Sequence, residues 1–169
     1  MHNRIAFLVS TALVALACAQ TPSEPTPAAA PDFASSSWGP ETPNFNLQVV
    51  LRGQGFGLVK FRQPNDGDLV IRLDTWVRDL APNTDYQLQR AVDVTVDGSC
   101  TSTAWLTLGK GLTPAMISTD ATGSGSESLW RSVAAFPIGS VFDIHFRVVD
   151  ATSGAVVLQS ACYEFTISQ

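Results

Sequence analysis

Leu69-Val70-Ile71-Arg72-Leu73-Asp74-Thr75-Trp76-Val77-Arg78 alternates in character with a period of two. Leu69, Ile71, Leu73, Thr75 and Val77 fall on one face, and Arg72, Asp74, Trp76 and Arg78 on the other. Successive side chains of an extended strand point to opposite sides, so this stretch reads as a strand with one side on a core. Phe142, Ile144, Phe146 and Val148 alternate in the same way with Asp143, His145, Arg147 and Val149. Tyr163, Phe165 and Ile167 alternate with Cys162, Glu164 and Thr166. Further strands are expected over 47–52, 56–62, 85–92, 103–108, 127–134 and 155–159.

Turn residues separate these runs. Pro64-Asn65-Asp66-Gly67 predicts a hairpin in which Gly67 supplies the positive φ. Asp97-Gly98, Gly109-Lys110-Gly111, Thr122-Gly123, Pro137-Ile138-Gly139 and Ser153-Gly154 are further breaks. No apolar run at helical spacing lasts three turns past the N-terminal segment. Leu80-Ala81-Pro82-Asn83-Thr84-Asp85-Tyr86 resembles the L-x-P-x-T-x-Y corner of fibronectin type III domains, where the Tyr ties its hydroxyl to the turn backbone. More than eighty residues follow it here, against one or two strands in that family. The expected fold is all-β, an immunoglobulin-like Greek-key β-sandwich of about eight or nine short antiparallel strands over residues 44–169.

The chain opens MHNRIAFLVSTALVALACAQ. Arg4 gives a positive start, and the apolar run from Ile5 to Ala17 is too short to span a bilayer. That layout predicts an export signal over residues 1–19. Ala15-Leu16-Ala17 before Cys18 resembles a lipobox, which implies a bacterial lipoprotein lipidated on Cys18 and held to a membrane by that lipid. Ordinary cleavage after Ala17-Cys18-Ala19 is the alternative, giving a secreted protein. Residues 20–43 are rich in Pro, Ala, Ser and Thr without apolar periodicity, the composition of an extended tether. Localisation is therefore expected to be exported, anchored on the periplasmic or extracellular side or secreted.

The chain has three Cys, and setting Cys18 aside leaves Cys100 and Cys162. In an oxidising compartment an even pair in one small domain predicts a disulfide. Loss of Arg4 leaves nine Lys and Arg against 15 Asp and Glu, a net charge of −6. An acidic, Lys-poor chain lacks the basic footprint of nucleic-acid binding.

Catalytic parts are few. His2 leaves with the signal, so His145 is the remaining imidazole, and no G-x-S-x-G elbow or phosphate-cradling loop is present. Asp143, His145 and Arg147 share one strand face, which makes them a candidate charged site; the plain alternative is a solvated face. Asp66, Asp68, Asp93, Asp97 and Asp120 sit in or beside turns, where turn propensity explains them without Ca²⁺. Trp76 on a polar strand face is a candidate sugar-stacking platform, against the alternative that a second layer covers it. Copper/zinc superoxide dismutases, Greek-key β structures, carry an L-x-P-x-x-H-G-F-H-x-H stretch. Tyr86-Gln87-Leu88-Gln89 is similar to its F-H-x-H with Gln at both metal ligands, and Asp97-Gly98-Ser99-Cys100-Thr101-Ser102 resembles that family's cysteine-bearing loop. The resemblance implies the scaffold without its metal site, since Gln amides do not replace imidazoles. The expectation is a non-enzymatic envelope domain with a binding or structural role, without cofactor or metal, whose partner is an envelope protein or polysaccharide. A carbohydrate-binding module is the first alternative and a small hydrolase the second.

Overall fold

The structure, a computed structural model, describes residues 46–168. The expected export signal over 1–19, the tether over 20–43 and Cys18 lie outside the described residues. Twelve strands succeed one another: β1 (Asn46–Gly53), β2 (Phe56–Arg62), β3 (Val70–Arg78), β4 (Asp85–Asp93), β5 (Leu106–Thr107), β6 (Gly109–Lys110), β7 (Thr113–Pro114), β8 (Ile117–Ser118), β9 (Gly125–Ser132), β10 (Val141–Asp150), β11 (Val156–Ser160) and β12 (Tyr163–Thr166). The described residues contain no helix, so the all-β expectation holds. β2 coincides with its expected span, and the other long strands lie within two residues of theirs.

The segment 103–118 departs from the expectation. In place of one strand over 103–108 it forms four two-residue strands, β5 to β8. Gly109, Gly111 and Pro114 prevent a sustained ladder. The pieces therefore attach where an edge is free: β5 and β8 to β4, and β6 to β9 and β7.

All strands join one mixed sheet in the order β5-β4-β10-β11-β1-β2-β3-β9-β6-β7, with β12 on β10 and β8 on β4. Every pairing is antiparallel except β6 with β9. The sheet curls until it is nearly closed, because β8 on β4 comes to lie against the start of β9. A Cβ on Gly125 would sit 2.5 Å from the Ser118 carbonyl oxygen, so the approach requires glycine there. At the β2–β3 hairpin Gly67 has φ 84°, as the turn sequence predicts.

The alternation of β3 is realised. Ile71, Leu73, Thr75 and Val77 are buried, while Arg72, Trp76 and Arg78 are exposed and Asp74 is half-buried. Inside, the Phe61 ring of β2 packs edge-on against Phe165 of β12 at 4.5 Å and Phe146 of β10 at 5.9 Å. These contacts tie the β1–β2–β3–β9 half to the β4–β10–β11–β12 half. Truncating one such fully buried ring costs about 3–5 kcal/mol. Gln63, just past β2, is buried and exchanges two hydrogen bonds with the Ser168 backbone, which fixes the C-terminus.

Tyr86 stands near the start of β4. Its hydroxyl accepts the Ala81 N–H at 3.1 Å, and Thr119 Oγ1 donates to the Ala81 carbonyl at 2.7 Å while accepting Thr84 N–H at 3.0 Å. Cys100 and Cys162 form the expected disulfide, with Cα atoms 5.4 Å apart across a separation of 62 residues. In the chain-entropy account a loop of that length contributes about 4 kcal/mol.

Candidate functional site

The outer surface divides into two faces of opposite character. On the first, β10 and β4 pair Asp143 with Asp93, His145 with Ala91, and Arg147 with Gln89. Strand alternation points Asp143, His145 and Arg147 outward together, so the structure does bring this trio to one face. It then covers them with the segment 94–105 that carries Cys100.

Asp143, 1% exposed, accepts the Asp97 and Gly98 N–H groups at 3.0 and 2.8 Å. Asp93 accepts the Thr101 and Ser102 N–H groups at 3.2 and 3.1 Å. Like charges directly opposite repel. Here four backbone donors from the loop compensate the two carboxylates. His145 Nε2 lies 3.1 Å from the Ser102 carbonyl oxygen, and its ring lies against Trp105, centroids 4.5 Å apart. The Arg147 guanidinium sits 4.1 Å from the other ring partner, the Trp105 centroid, and its Nε donates to Gln89 Oε1 at 2.8 Å. Desolvation there lowers the Arg147 pKa from its ordinary value.

Gln87 and Gln89 point outward from β4, alternating with buried Tyr86 and Leu88. Gln89 Nε2 donates to Thr107 Oγ1 at 3.1 Å, and Gln87 Nε2 reaches the Met116 sulfur at 3.5 Å. Both amides bind the 103–118 segment, at the two positions where the superoxide dismutase stretch has His. No cluster of three or more His, Cys, Asp or Glu at metal-binding spacing occurs among the described residues. The acidic turn residues hold their own turns. Asp66 accepts Asp68 N–H, Asp97 accepts Ser99 N–H, and Asp120 accepts Thr122 and Ser124 N–H.

The second face is the outside of β1–β2–β3–β9, and it stays largely open, with the Gly111 backbone lying against the edge of the Trp130 ring. Trp76 is 45% exposed and Trp130 43%. The register sets Val50, Leu58, Trp76 and Ser126 in one row across the four strands. The next outward row is Gln48, Lys60, Asp74 and Ser128, and the one after it Asn46, Arg62, Arg72 and Trp130. Trp130 lies four residues along β9 from the partner of Trp76, so the two indoles sit roughly 14 Å apart along the sheet.

Between the indoles lies a fixed polar row. Asp74 bonds the Arg62 guanidinium on one side and accepts the Ser128 hydroxyl at 3.0 Å on the other. Trp76 borders a depression of about 400 Å³ floored by Phe56, Ser124, Gly125 and Ser126. The Phe56 ring is held between Arg52 and Arg78, each guanidinium 4.8 Å from its centroid. Sequence reasoning found Trp76 but left Trp130 unassigned to a face. The alternation of Leu129 and Arg131 around Trp130 carries too little apolar contrast to fix the sides.

No family model and no curated protein matches the chain. Among the described residues no helix is long and apolar enough to cross a membrane.

Proposed function

We propose that the chain is a non-enzymatic binding domain of the cell envelope whose working surface is the outer face of β1–β2–β3–β9. Its ligand class is a carbohydrate or surface polymer. The observation that carries this reading is the pair of exposed indoles, Trp76 and Trp130, on one rigid face with hydrogen-bonding side chains between them. Sugar C–H groups pack on aromatic faces, and Asp74, Lys60 and Ser128 offer donors and acceptors to hydroxyls. A roughly 14 Å separation suits an oligosaccharide segment. A hydrolytic role for His145 is disfavoured, because Trp105 and the Ser102 carbonyl already occupy the imidazole.

Export, with lipid on Cys18 and the tether over 20–43 holding the domain off the membrane, belongs to the same proposal and rests on the N-terminal sequence. The immunoglobulin-like Greek-key reading of the sheet is supported by the Tyr86 corner and by the long crossings from β3 to β4 and from β9 to β10.

The test is titration with soluble glucans, chitin oligosaccharides and peptidoglycan fragments. Saturable binding to one of these, weakened at least tenfold in Trp76→Ala with unchanged thermal stability, supports the face. Absence of binding across the panel, or binding indifferent to Trp76→Ala and Trp130→Ala together, overturns it. For the anchor, Cys18→Ser should move the protein from the membrane to the soluble fraction; unchanged fractionation removes the lipid from the proposal.

A further inference from the structure

Two arginines interrupt the apolar lining at one end of the barrel interior. Arg90 follows Leu88 and precedes Val92 on the inner side of β4, and Arg131 stands between Leu129 and Val133 on the inner side of β9. The register places them at the same end, Arg90 opposite Phe146 of β10 and Arg131 opposite Ile71 of β3. Both line a cavity of about 620 Å³ whose walls include Phe61, Ile71, Phe142 and Ile144. Its rim is apolar and exposed, with Val94 at 89% and Phe136 at 47%.

The two guanidiniums are poorly compensated. Arg131 Nη1 donates to the Gly111 carbonyl at 3.2 Å. Among the described residues, neither Arg90 nor Arg131 has a carboxylate partner, although four other cations do. Burying a cation in an apolar wall is unfavourable without a partner, and a second like charge adds to it. Burial, and after it the charge of Arg131, lowers the Arg90 pKa from its ordinary value. An anion between the forks relieves both effects, and the planar guanidinium fits a carboxylate with two parallel hydrogen bonds.

We propose that this end of the barrel is a binding site for a small amphipathic carboxylate of the medium-chain fatty-acid class. The head group lies between Arg90 and Arg131, and the tail runs along Phe61, Ile71 and Phe142. The volume lies within the range of small-molecule sites, and an apolar wall with a few convergent polar groups is their usual composition. The site is separate from the Trp76 face and does not depend on it.

The experiment is calorimetric titration of the full exported chain with decanoate, with decanol and decyltrimethylammonium as the neutral and cationic probes of equal chain length. One saturable decanoate site is expected, at least tenfold tighter than either control. Arg90→Met and Arg131→Met should each weaken decanoate at least tenfold while leaving decanol unchanged. Thermal stability in these variants should hold or rise, since a half-buried charge without a carboxylate partner is removed. If a Met variant does not fold, Arg90→Lys serves instead, keeping the charge but losing the fork, with at least a threefold weakening expected. Equal binding of decanoate and decanol, or decanoate binding unchanged in the arginine variants, overturns the proposal.

Discussion

The outer faces of β10 and β3 begin from the same pattern and end in opposite roles. On β10 the outward residues are Asp143, His145 and Arg147; on β3 they are Arg72, Asp74, Trp76 and Arg78. Both runs alternate with buried apolar residues. The β10 face disappears under the segment 94–105, and its polar groups are spent on that segment's backbone and on Trp105. The β3 face keeps its indole in solvent. Polar alternation therefore marks which side of a strand faces away from the core, and a loop decides whether that side is a surface.

The contrast can be broken experimentally. If the β10 face is a fastening and the β3 face a working surface, changes on the first should reduce stability and changes on the second should leave it intact. The largest effect is expected from the disulfide. Replacing Cys100 and Cys162 together by Ser should lower unfolding free energy by about 4 kcal/mol, read from urea denaturation of the oxidised wild type and the variant. A loss under 1 kcal/mol would mean the clamp holds the loop without the bond.

Asp143→Ala should come next. It strands two backbone N–H donors at a buried position, a loss of about 2–4 kcal/mol by the same measurement. Faster amide hydrogen exchange at Asp97 and Gly98 should accompany it, and unaltered exchange there would separate Asp143 from the loop. Tyr86→Phe removes the hydroxyl that accepts Ala81 N–H and should lose about 1 kcal/mol. Trp76→Ala should change stability by less than about 0.5 kcal/mol, as expected of an exposed site away from structural features. A loss comparable with that of Asp143→Ala would erase the distinction between the faces.

The smallest effect concerns pH. Hydrogen bonds from Thr122 and Ser124 hold Asp120 below its ordinary pKa, and bonds from Ser153 and Thr152 do the same for Asp150. A carboxylate whose folded pKa is depressed adds stability above its unfolded pKa and loses it as pH falls through the folded value. Thermal stability should therefore fall only below about pH 4 on account of these two. Asp120→Asn should flatten that acid limb slightly, and an unchanged limb would take the 120–124 turn out of the account.

The strands were legible because burial on one side of a sheet writes a period of two into the residues. β2 and β3 were readable for that reason, as were the turn at Gly67 and the Tyr86 corner, whose geometry is local. The 103–118 segment was not readable. Its two-residue pieces take their conformation from the free edges of β4 and β9 rather than from their own pattern. Arg90 and Arg131 were missed for a related reason. A charge inside an apolar alternation resembles an interruption until strands far apart in sequence bring two of them to one cavity. The trio Asp143, His145 and Arg147 was legible as a cluster, because residues two apart share a face. Its use was not, because the covering loop lies more than forty residues away along the chain.

By itself the sequence determined the all-β class, the paired Cys100 and Cys162, and the outward direction of Trp76 and His145. Each depends on spacing within a strand or on the parity of a count. Tertiary structure decided that one sheet curls nearly closed at Gly125, that one polar face is covered and the other open, and that two arginines share an apolar cavity. Those outcomes depend on contacts between distant segments, whose free energy is set by geometry that no local pattern records.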